Sequence, residues 1–131
     1  MRYLLDTSIA IYAGASEPKV IERFIAHAGA LFTSALVLAE MHRGLHKNPA
    51  HSEIRRMQFD ILLQQICILD FDSAAAEAYG RIIAVLGWTK GRDFDRMIAA
   101  HAISTRSTLV TANERDFRDI PGLKLENWLT A

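Results

Sequence analysis

Apolar and polar positions alternate between two kinds of segment along this chain. Short apolar runs of three or four residues, at 3–5, 30–33, 67–69, 108–111 and 123–125, read as β-strands. Longer stretches between them carry apolar residues at helical spacing. Residues 9–12 read as a short helix preceded by Thr7 and Ser8, both good helix caps. A second helix over 17–28 places Val20, Phe24 and Ile25 on one face, and Ser34 caps a third over 35–46, closed by Asn48-Pro49. Residues 52–65 form an amphipathic helix with Ile54, Met57, Ile61 and Leu62 as core candidates, 72–86 an alanine-rich one, and Asp93 starts a last helix that runs to about 105. Pro18, Pro49 and Pro121 fall in connections. Short strands separated by helices predict a single α/β domain over residues 1–131, with a central parallel sheet covered on both faces. In such a sheet ligands sit beyond the C-terminal ends of the strands.

Composition adds limits. A chain of 131 residues, half of them hydrophobic, is long enough to bury one core. The 15 basic and 15 acidic residues cancel, so any grip on a polyanion must be local, and neutrality favours association. The lone Cys67 lies in the apolar run Ile66-Cys67-Ile68-Leu69 and reads as a buried structural thiol. No apolar stretch approaches the roughly 20 residues of a membrane span, and the acid in Met1-Arg2-Tyr3-Leu4-Leu5-Asp6 argues against a signal peptide, so the expected location is cytoplasmic, without membrane contact.

Three acids stand where apolar logic does not want them. Asp6 ends the first strand, Glu40 interrupts Ala35-Leu36-Val37-Leu38-Ala39-Glu40-Met41, and Asp95 opens the helix containing Met97-Ile98-Ala99-Ala100. Singly, each has an ordinary explanation: Asp6 as a helix cap, Asp95 as a partner of the helix dipole, Glu40 paired with Arg43. Together they fall where the fold predicts a cleft. Carboxylates brought close repel one another, and a divalent cation relieves the repulsion; oxygen donors without histidine or cysteine suit Mg²⁺, with Mn²⁺ as a substitute, over zinc. His42 and His46 have the spacing of a helical zinc pair but no third ligand, and read as solvent-facing; His101 reads as a packed or capping histidine.

With these residues in view, the chain resembles the PIN-domain ribonucleases of the VapC toxin type. The resemblance spans essentially the whole chain. It is carried by Tyr3-Leu4-Leu5-Asp6-Thr7-Ser8, by the segment from Ser34 to Gly44, by the segment from Asp95 to Ala102, and by Leu109-Val110-Thr111-Ala112-Asn113-Glu114-Arg115-Asp116-Phe117 followed by Ile120-Pro121-Gly122-Leu123. It implies a Rossmann-like three-layer α/β/α sandwich. Asp6, Glu40 and Asp95 take the family's acidic positions, with Asp6 and Asp95 as direct metal ligands and Glu40 direct or through water. The family's fourth acid is replaced by Asn113, with Asp116 one helical turn later; either completes the site. Asp93 reads as the helix cap or an outer acid, and Thr7 as a residue that orients Asp6 or a water, or simply caps the helix.

The activity implied is Mg²⁺-dependent endonucleolytic hydrolysis of RNA, tRNA among the candidate targets. Arg43, Arg92, Arg96 and Arg115 are candidate RNA-binding residues at the rim, with Lys47, Lys90 and Arg118 nearby. The resemblance further implies a cognate VapB-like antitoxin, a homodimer or toxin–antitoxin hetero-oligomer, and contact with operator DNA only through the antitoxin. Apolar residues near the N-terminus, Ile9, Tyr12, Val20 and Phe24, supply either an association surface or core. Alternatives are a non-catalytic PIN-like module that binds RNA or protein, and a metal-dependent DNA nuclease. A haloacid-dehalogenase-type phosphatase would need an Asp at position 8, where Ser8 stands.

Overall fold

The computed structural model describes residues 1–130. Five parallel strands, β1 (Tyr3–Leu5), β2 (Leu31–Ser34), β3 (Cys67–Leu69), β4 (Thr108–Val110) and β5 (Leu125–Glu126), form one sheet in the order β3-β2-β1-β4-β5. Six helices flank it: α1 (Thr7–Gly14), α2 (Pro18–Ala26), α3 (Ala35–Lys47), α4 (Ser52–Leu63), α5 (Ser73–Leu86) and α6 (Asp93–Ser104). The result is the expected three-layer α/β/α sandwich.

Each element has a local cause. The central strands β1 and β4 are buried at every position, as strands covered on both faces must be. Ser34 caps α3 through Leu36 N, and Asp72 caps α5 through Ala75 N. Of the three cap candidates before α1, Asp6 is the one that caps it: its Oδ1 accepts from Ile9 N, and neither Thr7 nor Ser8 takes that place. Pro18 opens α2 at a position that needs no backbone donor. At the N-terminal edge of the sheet Tyr3, His27 and the fully buried Trp128 pack ring to ring and tie the last strand's end to the first.

Helices α1 to α4 pack among themselves and α5 pairs along α6. Successive strands run outward from β1 to β3, and the chain then crosses to β4 on the other side of β1. The reversal opens a crevice between β1 and β4 at their C-terminal ends, the point at which such sheets bind ligands.

The core expectations that fail on helices do so for one reason: helical periodicity finds a stripe without saying which way it faces. Of the four α4 candidates only Leu62 is buried; Ile54, Met57 and Ile61 are 57–64% exposed, and Phe59 faces inward with Leu62. Ile25 is exposed on α2, while Ile9, Val20 and Phe24 belong to the core. Cys67 is exposed, because β3 is an edge strand.

Candidate active site

The crevice collects the acids from four separate places. Asp6 follows β1, Glu40 lies midway along α3, Asp95 sits in the first turn of α6, and Asp116 ends the short 3₁₀ turn Glu114–Asp116 after β4. All four line one cleft of about 300 Å³, together with Thr7, Ser8, Ile11, Ile98, Asn113 and Phe117. Asn113 and Asp116 therefore both reach the site.

Asp6 is held most firmly. It is 5% exposed; its Oδ1 accepts from Ser8 Oγ at 2.7 Å and from Ile9 N at 3.0 Å. Burial raises its pKa; the hydroxyls of Ser8 and Thr111 and the Ile9 amide pull it back, and Glu40 raises it again. Ser8 Oγ also accepts from Ala112 N at 3.0 Å, and Thr111 Oγ1 accepts from Asn113 N at 2.9 Å, so the strand ends of β1 and β4 are locked together around this carboxylate. Sequence reasoning passed over Ser8 and Thr111 as site residues, since nothing local marks a serine or threonine that serves a distant strand.

Asp95 is strained electrostatically. Burial first, then the charges of Asp116, Glu40 and Asp6, push its pKa up to about 6, while Arg92 acts in the opposite direction. Thr7 Oγ1 is buried at the same cleft without a hydrogen-bond partner among the described residues. Mutually repelling carboxylates and an unpartnered hydroxyl, all oxygen donors, fit a hard divalent cation. Among the described residues no three His, Cys, Asp or Glu side chains form a ready-made ion cage. Mg²⁺ usually takes one or two direct carboxylates and keeps several waters, so Asp6 and Asp95 are the pair that would hold it.

Two further clefts adjoin the acidic one and meet it at Glu40. One, of about 280 Å³, is lined by Thr7, Ile11 and Glu40 together with three cations, Arg43 and Lys47 of α3 and Arg55 of α4. The other, of about 420 Å³, lies between Ala39, Glu40 and Arg43 on one wall and Gly91, Phe94 and Asp95 on the other. Among the described residues Arg43, Lys47, Arg55 and Arg92 make no ion pair. Arg55 escaped the sequence reading because it lies in a different helix from the acids.

Four expected site residues, Arg92, Asp93, Arg96 and Arg115, line none of the three clefts. Asp93 lines none of these clefts and does not cap α6. Its carboxylate accepts from Tyr79 Oη and Trp88 Nε1, which lowers its pKa and ties α5 and the following loop to α6. Arg96 is 5% exposed; its guanidinium donates to the Gly87 carbonyl and pairs with Asp119 at 3.9 Å, so it is a packing cation and unavailable to RNA. Arg115 is exposed on the turn after β4 and lines none of the three clefts. His42 and His46 face solvent; His101 is buried, its Nδ1 2.8 Å from Ser34 Oγ. Glu40 and Arg43 share a cleft wall without forming an ion pair.

Comparison with known proteins places the chain in a family. Residues 3–123 match the PIN domain family. The chain is 36% identical over 134 residues to ribonuclease VapC2 of Rickettsia felis, covering 98% of each. It is also 36% identical over 132 residues to a tRNA(fMet)-specific endonuclease VapC of Shigella flexneri, again over 98% of each. Among solved structures it is similar to VapBC2 of Rickettsia felis bound to a fragment of promoter DNA, with a TM-score of 0.85, 34% identity, and coverage of 98% of this chain and 99% of that one. It also resembles DNA-bound VapBC of Salmonella typhimurium, with a TM-score of 0.87, 31% identity and 98% of each chain covered. With residues 3–123 matched by the family and relatives 36% identical over nearly the whole of both chains, the chain belongs to the PIN-domain family, among the VapC-type ribonucleases.

Proposed function

We propose that this protein is the toxin of a type II toxin–antitoxin pair, an endoribonuclease that hydrolyses RNA phosphodiester bonds with Mg²⁺ at Asp6, Glu40 and Asp95. One observation carries the assignment: four carboxyl groups from four elements converge on the crevice at the switch point of the sheet, where burial first and their mutual repulsion second raise Asp95 to about 6. Unbalanced negative charge of this kind is costly unless a cation answers it.

The ion, held by Asp6 and Asp95 with Glu40 direct or through water, would neutralise charge on the phosphate and acidify the attacking water. The residues do the positioning. Ser8 and Thr111 fix the rotation of the Asp6 carboxylate, and Thr7 offers a free hydroxyl to a water in the cleft. Asn113 and Asp116 flank the far side, where Asp116 supplies the charge that Asn113 lacks. Arg43, Lys47 and Arg55 line the path by which an RNA backbone approaches Glu40.

The antitoxin has a surface to cover. A groove of about 460 Å³ between α1, α2 and α4 includes Phe24, Ile25, Ile61 and Leu62, of which Ile25 and Ile61 are 71% and 57% exposed. The similar solved structures are VapBC complexes, so a VapB-like partner is the natural occupant, and operator DNA is reached through it. Among the described residues no helix is long and apolar enough to cross a membrane.

The test is cleavage of total RNA by purified protein, with ends mapped by sequencing. Cleavage with Mg²⁺ or Mn²⁺, lost in chelator and in Asp6→Asn, Glu40→Gln and Asp95→Asn, is expected. Full activity in chelator, or in Asp6→Asn or Asp95→Asn, would overturn the assignment.

A further inference from the structure

The chamber between α3 and the start of α6 has no part in the chemistry described so far. It opens beside the acidic cleft and shares Glu40 and Asp95 with it, so it lies within reach of a nucleotide flanking a phosphate held at the acids. Its walls are unlike those of the acidic cleft. Phe94 presents a half-buried ring, Ala39 and Gly91 leave space, and Arg43 is an exposed cation without an ion-pair partner among the described residues. Gly91 has φ +84°, a conformation that side-chain-bearing residues rarely adopt, and a Cβ there would meet nothing within 4 Å. The wall is thus open at Gly91, and the backbone itself disfavours any side chain that would fill it.

We infer that this chamber of Ala39, Glu40, Arg43, Gly91, Phe94 and Asp95 is a subsite for one unpaired nucleotide of the RNA next to the bond that is cut. The inference rests on the ribonuclease reading above. An aromatic ring stacks with any base, and a nearby arginine suits the phosphate that accompanies it. A base seated between a helix and a loop has left its own stack, so the substrate is a single strand, loop or bulge at this position. Glu40 stands where the two cavities join and separates the reacting phosphate from the seated base.

The experiment uses a synthetic single-stranded RNA containing a mapped cleavage point, and copies in which each nucleotide flanking that point is made abasic in turn. Wild-type enzyme, Phe94→Leu and Phe94→Tyr are compared with Mg²⁺. Wild type should lose about tenfold in kcat/KM, chiefly through KM, when one particular flanking base is removed. Phe94→Leu should show that loss on intact RNA and no further loss on the abasic copy, while Phe94→Tyr stays near wild type. Indifference of the wild-type enzyme to both flanking bases would overturn the subsite, without recourse to any variant. So would equal sensitivity of Phe94→Leu and wild type to the abasic copy. If wild type cuts no intact RNA at all, the ribonuclease reading itself fails, a result distinct from loss of the subsite alone.

Discussion

Ser8 Oγ donates to Asp6 Oδ1 at 2.7 Å while accepting from the backbone of Ala112 at 3.0 Å. The acid at the end of β1 is thereby fixed to the chain leaving β4. Asp6 is nearly inaccessible, and a buried carboxylate free to rotate would face the cleft with varying geometry. Residues that orient a ligand typically matter about 10- to 100-fold. Ser8→Ala should weaken Mn²⁺ binding and lower kcat by about that factor, while Ser8→Thr, which keeps a hydroxyl, retains most of both. Calorimetric Mn²⁺ titration beside the cleavage assay checks this. Helix α1 should persist in Ser8→Ala, because its cap is the separate bond from Ile9 N to Asp6.

Asp95 offers a conflict between stability and activity. Its folded pKa is about 6 against an ordinary value of 3.8. For an acid whose pKa rises on folding, the folded state holds the proton more tightly. Stability from this group therefore falls as pH rises from about 4 through about 6, and stays low above that. Asp95→Asn should then stabilise the metal-free protein at pH 7–8 by about 1–2 kcal/mol, the shift being discounted for solvent screening at a half-buried site, while abolishing cleavage. Thermal unfolding in chelator measures the gain. Added Mg²⁺ should stabilise wild type and leave Asp95→Asn almost unmoved.

The sequence revealed the acids and concealed much of what surrounds them, for physical reasons. A carboxylate inside an apolar run, as at Glu40, violates burial energetics and is visible one residue at a time. Strand ends in a parallel sheet are ordered by the alternation of elements, so the meeting of Asp6, Glu40 and Asp95 followed from topology. Arg96 and Asp93 misled because an exposed cation and a buried one look alike in a helix's first turn. The Gly87 carbonyl, nine residues back, and Asp119 hold Arg96 out of solvent. In the same way Tyr79 and Trp88 claim Asp93 from outside its own helix. Arg55 and Ser8 acquire their places through contacts with other elements, which no local pattern encodes.

The cations divide into two groups by exposure. Arg43, Lys47 and Arg55 line an open cleft without ion pairs among the described residues, whereas Arg96 is sealed. If the first three grip phosphates, removing each should flatten the dependence of log Kd on log salt by about 0.7, the single-strand increment per released ion. Arg96→Met should leave that slope unchanged and instead lower the melting temperature, since it strips a donor from Gly87. Binding of an uncleavable RNA to these variants at several salt concentrations separates the groups. An unchanged slope in the Arg43→Ala, Lys47→Ala, Arg55→Ala triple variant would remove them from the RNA path.

His101 links the two helices that bring Glu40 and Asp95. It lies on α6, and its Nδ1 is 2.8 Å from Ser34 Oγ, the cap of α3. Ser34 already accepts from Leu36 N, so its hydroxyl proton is free for an unprotonated Nδ1, and the remaining ring proton serves the backbone of Asp70. Burial lowers the His101 pKa, against the opposing charges of Asp72 and Asp70, and Phe71 packs edge-on to the ring at 5.5 Å. A base whose pKa falls on folding contributes stability that is complete above its unfolded value of 6.5 and is lost as pH drops below it. In that range Asp95 and Asp6, both raised by burial, change stability in the opposite direction, so the measurement belongs in an Asp6→Asn, Asp95→Asn background. There the melting temperature should fall steadily from pH 6.5 to 5. His101→Phe should be less stable at pH 7.5 by about 1–3 kcal/mol, the cost of leaving buried hydrogen-bonding groups unpaired, and should show a flatter profile below pH 6.5. A slope that survives unchanged in His101→Phe would locate the titrating group elsewhere.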